Sequence, residues 1–424
     1  MAKDVTAIPI TEAMVRWSDI DEDEYSLYAS GTTYADGDHC IYNHKLYESL
    51  QNANTGHTPS SSPTWWEDLG YDNRWQVFDG SVQSQSSQAT TMTWIIDPGE
   101  TADSVAIMNC DADSVRIKLA NVDAEWMGQY GGEEWTGASG TTPPTGWATT
   151  STVATSYTID SGWIKIVGNA GASDTGIRKT MSSLVAGHEY QIVGKFKTVA
   201  SHYAAYKVVD VDHGTTLTST VLPTSATQLE FSFTFTCPAG CDEIYLYLYA
   251  HNASDQVWFD DVSMTVIAYD SGVISMTNAI DYVTTGLTSY SNPRFTITIA
   301  KTTTAYCGEI IFGVAFSLGT SLNEPKIGID DYSIVEADSY GNFTITERSY
   351  AKKLIGESRF LNTSLDSIAA HITANRATPA VYIFNPSSLS YSCMIIYGFP
   401  KTWEISTNSM TGYSRLSIEF RGLT

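Results

Sequence analysis

Along most of the chain, apolar and polar residues alternate with a period of two. The runs "TMTWIIDP", "SVAIMNC", "SVRIKLAN", "GWIKIVGN", "YQIVGKFKTV", "AAYKVVDVD", "LEFSFTFTC", "EIYLYLYAH", "VWFDDVSMTVIA", "RFTITIA" and "AVYIFN" are rich in β-branched and aromatic residues. Gly, Pro, Asn, Asp or Ser bounds each of them, which predicts short strands. One stretch has a different period. In "SLDSIAAHITANRATP", Leu365, Ile368 and Ile372 fall on one helical face, Ser364 or Asp366 is placed to cap it, and Pro379 prevents continuation. The pattern therefore predicts an all-β, multidomain chain with β-sandwich domains and one short packed helix near 364–376.

Changes in composition divide the chain. Residues 1–27 are acidic and polar, with "SDIDEDEYS" after Trp17, and read as a linker or docking segment. Residues 28–70 are dense in aromatics and turn residues. A β-rich unit begins at 71 and is interrupted near 133, where "GQYGGEEWTGASGTTPPTGW" has the Gly, Thr and Pro content of a connector. A block of about nine strands fills 134–268, and the chain changes character again from 269 to 424. The segment 71–133 has too few strands to cover both faces of a sandwich. The economical expectation is that 134–268 is inserted into a host domain made of 71–133 and 269–424, since insertions succeed where a loop's two ends lie close together.

Charge narrows the function classes. Lys and Arg number 23 against 47 Asp and Glu, a net charge of −24. A nucleic-acid surface needs a cationic face, so nucleic acid is not an expected partner, and neither is anionic membrane. No run of eighteen apolar residues is present, so membrane insertion is not expected. The N-terminus lacks the apolar stretch of a secretory signal. The six cysteines are scattered apart from "CPAGC" at 237–241, which suits reduced structural thiols made in a cytoplasm. No G-x-S-x-G, H-E-x-x-H or P-loop occurs, and the eight histidines show no i, i+4 pair. The acidic cluster Asp330, Asp331, Glu336 and Asp338 is what chance allows among so many acids, so the protein is not expected to be an enzyme.

The candidate chemistry is aromatic. In 28–70 the order Tyr34, Gly37-Asp38, Cys40, Tyr42, Leu46-Tyr47-Glu48-Ser49, Pro59, Trp66 resembles the small chitin- and cellulose-binding modules appended to bacterial glycosidases. Cys40 stands where those modules usually carry Val, and Asn43-His44 replaces a turn glycine. The resemblance implies a three-stranded module with an aromatic core and a sugar-stacking face. Tyr34, Tyr47 and Trp66 read mainly as core. Tyr42 and Trp65 read as facing outward, and Trp66 is kept beside them among the candidate sugar contacts.

In the inserted block, Leu184, Gly187 and Tyr190, with the closing Phe259-Asp260-Asp261-Val262, resemble galactose-binding-like jelly-roll carbohydrate-binding modules. The resemblance implies candidate contacts at Trp163, Tyr203, Tyr206, Tyr247 and Trp258. It also implies that Asp260 helps hold a structural calcium; no other cofactor is required. Alternation puts about half of any strand's aromatics in the core. The flanking stretches, "DNRWQVFDGSV" and "CGEIIFGVAFSLG" through "LSIEFRGLT", resemble tail-encoded proteins of tailed bacteriophages. That resemblance implies a virion tail protein made in the host cytoplasm and not secreted. Its partners would be other tail proteins, further copies of itself and host cell-surface carbohydrate. The apolar stretches "IIYGFPKTW" and "LSIEFRGLT" are the expected docking surface. The alternative function is a purely structural decoration or cement protein of tail, neck or capsid that binds no sugar. A secreted glycosidase accessory module is disfavoured by the N-terminus.

Overall fold

The computed structural model describes residues 1–122, 135–277, 279–322, 325–337, 340–384, 391–408 and 410–423. Strand dominates, at 58% of residues, and the sheets are stacked or closed around separate apolar cores, so the all-β multidomain expectation holds. The helix forms at Leu365–Ala374 and buries Ile368 and Ile372, two of the three residues its period singles out, with Leu365 partly buried against the same core. Neither expected cap closes it: Ser364 makes no side-chain bond to the first turn. Ser367 Oγ instead donates back to the Ser364 carbonyl at 2.9 Å.

The small module pairs His39–Tyr42 with Lys45–Ser49 and that strand with Trp66–Tyr71. The hairpin turns at Asn43 and His44, both with positive φ (50° and 62°). That is the conformation a two-residue hairpin turn of this hand requires, and Asn tolerates it well. Tyr34, Cys40, Tyr47 and Trp66 form its core.

The strands between 148 and 268 form a sandwich. One sheet orders Ala148–Thr149, Thr175–Ser182, Glu243–Ala250, Ala204–Asp210 and Thr215–Val221. The other carries Ser156–Asp160, Trp163–Val167, Gln256–Asp270, Glu189–Thr198 and Leu229–Thr236. Between them lie Tyr157, Ile192, Phe196, Phe231, Leu246, Leu248 and Phe259. Gln256–Asp270 does not stop at 268. Its first part pairs within the sandwich, while Ile267, Tyr269 and Asp270 pair with Ser114–Asn121 of the neighbouring sheet. One continuous strand thus belongs to both units. Part of the connector expected near 133 lies outside the described residues.

The neighbouring sheet is organised by Pro293–Gly313, which pairs with Ser86–Ile96, Ser114–Asn121 and Ala102–Asp111. Trp94, Ile107, Leu119, Phe295 and Phe312 lie in its core. Further along, six antiparallel strands close into a barrel. Ala315–Ser321, Ala2–Thr6, Ala380–Phe384, Ile395–Asn408, Tyr413–Gly422 and Tyr350–Leu361 pair in that order, and Thr320 and Ser321 return to Arg359 and Ser358. The helix packs against the barrel core.

Two expectations are corrected. Residues 1–27 are not a linker: Ala2–Thr6 is a barrel strand and Val15–Ser18 pairs with Ser86–Ile96. The ladders that recruit them come from residues distant in sequence, Ile96 for Val15 and both Gly319 and Phe384 for Ala2, which local polarity does not reveal. The stretches expected to dock neighbours are barrel strands whose Ile396, Leu416, Ile418 and Phe420 point into the core. Exposed apolar residues of this region include several on the hairpin Ile334–Ala337 with Phe343–Thr346, where Val335 is 61% and Phe343 71% exposed.

Candidate functional site

Alternation along Glu243–Ala250 sends Ile244, Leu246 and Leu248 into the sandwich core and leaves Tyr245, Tyr247 and Tyr249 in a row on the other face. Cross-strand register sets Arg178 and Lys207 on either side of Tyr247. The Lys207 ammonium lies 4.7 Å from the Tyr247 ring centre, and the Arg178 guanidinium 4.4 Å from that of Tyr245. The Tyr245 and Tyr247 rings meet edge to face at 6.1 Å. Thr149 to Ser151 and Ser173-Asp174 adjoin the row. Together with Arg178, Lys207, Tyr247 and Tyr249 they line an open cleft of ≈ 640 Å³.

Such a surface has two complementary capacities. Tyrosine faces take the CH groups of a pyranose, while hydroxyls, a guanidinium, an ammonium and the Asp174 carboxylate satisfy ring hydroxyls. The period-two tyrosines of "EIYLYLYAH" were a sufficient sequence signal for the whole row. Tyr245, Tyr249, Arg178 and Lys207 were nevertheless missed. Identifying Arg178 and Lys207 requires the pairing of three strands.

The sequence candidates fall on four different surfaces. Tyr247 lies in the cleft. Tyr203, 39% exposed, precedes Ala204–Asp210, and its amide donates to Asp255 Oδ2 at 3.0 Å. Trp163 and Trp258 are half-buried on the outer face of the opposite sheet, where Lys197 bridges them at 4.7 and 5.7 Å from their ring centres. Trp258 Nε1 donates to Asp160 at 2.9 Å, and this bond leads the causes that hold the Asp160 carboxyl below its ordinary range. In the small module Tyr42 and Trp65 are half-buried. Trp65 stacks on His57 at 3.9 Å and 12°, so one of its faces is covered.

Two candidates are core residues and are withdrawn from any ligand surface. Trp66 is 2% exposed, packs edge-on to Tyr34 at 4.9 Å, and donates its Nε1 to the His57 carbonyl at 2.8 Å. Tyr206 is 6% exposed and stacks on Phe233 at 3.8 Å inside the sandwich. Its strand has apolar residues on both faces, so the pattern alone did not set the phase.

Asp260 is half-buried, and burial, then the neighbouring Asp261, pushes its carboxyl up, against a bond from Trp135. Lys195 stands opposite it in register and pairs with Asp261 at 2.8 Å. A calcium site wants six to eight oxygens. These described surroundings offer an ammonium and an indole donor, which do not fit that ion, and no role is built on it.

Among the described residues all six cysteines are free, and five are buried. Of the acidic cluster near 330, Asp330 pairs with Arg421 at 3.6 Å and Glu336 is exposed on the hairpin; Asp338 lies outside the described residues.

No protein-family model matches the chain, and no curated protein does. Solved structures do. The xylan-binding CBM22-1 domain from Paenibacillus barcinonensis aligns at 15% identity, covering 31% of this chain and 93% of that one, with a TM-score of 0.26. A carbohydrate-binding module of Cellvibrio mixtus lichenase 5A, solved with cellotriose, aligns at 9% identity over 36% of this chain and 96% of its own, with a TM-score of 0.20. The enzymatically active domain of bacteriophage CBA120 tailspike protein 4 aligns at 14% identity over 29% and 20%, with a TM-score of 0.25. Fold and cleft define the class as a multidomain all-β protein that carries a β-sandwich with an aromatic-floored groove.

Proposed function

We propose that this protein binds carbohydrate without transforming it, and that the primary contact is the cleft at Tyr247, with Tyr245 beside it. The observation that carries this reading is half-buried Tyr247, with Tyr245 beside it on the same strand, Arg178 and Lys207 on either side and hydroxyl-bearing residues of 149–151 and Ser173 lining the same cleft; Tyr249, 5% exposed, lines the cleft but has little surface to offer. A neutral or partly anionic glycan lies along the row, its sugar faces on the rings and its hydroxyls or carboxylates toward the two cations. Tyr42 and Trp65 of the small module supply a second, weaker contact. The setting is the tail of a phage particle, where other tail proteins and further copies of the chain raise many weak contacts to useful avidity. The resemblances in the flanking stretches and the net charge support this setting.

The structural alternative also rests on an observation: cations already sit over Tyr245, Tyr247, Trp163 and Trp258, and His57 covers one face of Trp65. The two readings separate on a glycan array and on host cells, with wild type beside Tyr247→Ala. The proposal expects binding that Tyr247→Ala weakens at least about tenfold, as loss of a stacked aromatic commonly does. Absence of wild-type binding, or equal binding by the variant, supports the structural alternative and removes the cleft from the account.

A further inference from the structure

Where the small module meets the rest of the chain, three ligand-bearing side chains from three separate segments converge. Glu22 comes from the acidic N-terminal stretch, His44 from the hairpin turn of the small module, and Asp72 from the residues that follow Trp66–Tyr71. One Glu22 oxygen, one imidazole nitrogen and one Asp72 oxygen lie within 4.8 Å of one another. Asp72 is fully buried. Its Oδ1 accepts the Trp75 amide at 3.2 Å, while no N–H or hydroxyl donor of the described residues reaches its Oδ2, and its side chain is in hydrogen-bonding contact with that of Glu22. A buried carboxylate oxygen without a donor is costly to leave in that state. The Asp72 carboxyl faces that of Glu22, and burial, then Glu22, pushes it up to about 8, so two resolutions are open to the pair: a shared proton, or a cation held by both carboxylates together with His44.

The surroundings hold the three groups in place. Glu22 accepts from Trp75 Nε1 at 3.0 Å and lies 2.9 Å from His44 Nδ1. The His44 ring stacks on Trp75 at 4.2 Å, and the His44 carbonyl accepts the Asp72 amide at 3.0 Å. Glu12 approaches the other imidazole nitrogen at 3.7 Å, and Glu24 accepts the Asn73 amide at 2.6 Å. Against these acids stands Arg74, 3.9 Å from Glu22, whose charge is shared with Glu230 at 2.5 Å. The local balance therefore remains acidic.

The other described cluster of this kind, Asp210, Asp212 and Cys241, differs because its members are satisfied from within the protein. Asp210 accepts from His213, Asp212 from two backbone amides, and the Cys241 thiol donates to the Glu243 carbonyl.

We propose that Glu22, His44 and Asp72 bind one divalent transition-metal cation of the Zn²⁺ type, clamping the N-terminal segment and the small module to the body of the protein. One imidazole and two carboxylates form a borderline donor set of the kind such ions take. Binding requires the His44 nitrogen to exchange its contact with Glu22 for the metal. The clamp fixes the orientation of the small module relative to the sandwich cleft, independently of whether either binds sugar.

The test uses the full chain, stripped with chelator and titrated with Zn²⁺ by calorimetry, with thermal unfolding followed in parallel. The inference expects one equivalent bound, and a melting temperature that rises with Zn²⁺ and falls back with chelator, because a ligand selective for the native state stabilises it. Asp72→Asn and His44→Asn, the latter chosen because Asn tolerates the left-handed turn, should each weaken binding at least about tenfold. Asp212→Asn should bind as wild type does. If Asp72→Asn does not fold, His44→Asn and the wild-type stoichiometry decide. No stoichiometric binding by wild type, or binding kept by His44→Asn and lost by Asp212→Asn, overturns the inference. So does Asp72→Asn raising the melting temperature while neither protein takes up metal, which would mean that the two carboxyls share a proton.

Discussion

Adjacent residues with like side chains have opposite fates in this protein, and a single step of phase decides between them. Trp65 and Trp66 are neighbours, yet one stacks on His57 near the surface and the other is sealed in the module core. Tyr206 and Lys207 divide in the same way, the tyrosine inward onto Phe233 and the lysine outward over Tyr247.

At this scale Glu309 is a buried carboxyl with a testable electrostatic consequence. It is 5% exposed, and burial, reinforced by Asp79 and opposed by the Gly80 amide, pushes its carboxyl from 4.5 up to about 9. The folded state therefore holds a proton that the unfolded chain releases between those values. This contribution to stability is full below about pH 4.5 and is lost as pH rises toward 9. Glu309→Gln keeps an acceptor for Gly80 and removes the titration. Denaturant unfolding at pH 5 and pH 8 should show wild type losing roughly 2–4 kcal/mol more than the variant between the two. Parallel pH dependence of the two proteins would show that Glu309 ionises normally.

At the scale of elements, local pattern located the strands and the helix, while their partners depended on long-range register. The alternation in Glu243–Ala250 and the period of Leu365–Ala374 are strong enough to read directly. Ala2–Thr6 was illegible because five residues with two charges carry little pattern, and their pairing to Ala315–Ser321 and Ala380–Phe384 is made across the whole chain. For the same reason the tyrosines of the cleft could be read from one strand, but Arg178, Lys207 and the Glu22–His44–Asp72 cluster could not.

The long strand Gln256–Asp270 joins sandwich and host, and a buried ion pair locks the joint. Arg294, fully buried, donates from Nε and Nη2 to the two oxygens of Asp97 at 2.8 Å each, and from Nη1 to Ser263 of that strand at 3.0 Å. Removing one partner strands a buried charge, so Asp97→Asn should cost roughly 3–5 kcal/mol in chemical denaturation. The double variant Asp97→Asn with Arg294→Met should recover much of that loss. A cost below about 1 kcal/mol for Asp97→Asn would mean that solvent reaches the guanidinium.

At the scale of the whole molecule, the sandwich and the host sheet share the strand Gln256–Asp270, and the host sheet and the barrel meet in a cluster of Val5, Met108, Ile311, Val381 and Tyr397. The central claim is that the cleft, and not the other aromatic surfaces, carries the sugar contact. The direct test is calorimetric titration of a soluble oligosaccharide from the glycan class that the array selects, into wild type, Tyr247→Ala, Trp258→Ala and Trp65→Ala. The account predicts that Tyr247→Ala abolishes or weakens binding at least about tenfold, that Trp258→Ala leaves it unchanged, and that Trp65→Ala has a small effect. Binding that survives Tyr247→Ala and is lost with Trp258→Ala or Trp65→Ala would contradict it and place the contact on the opposite sheet or on the small module.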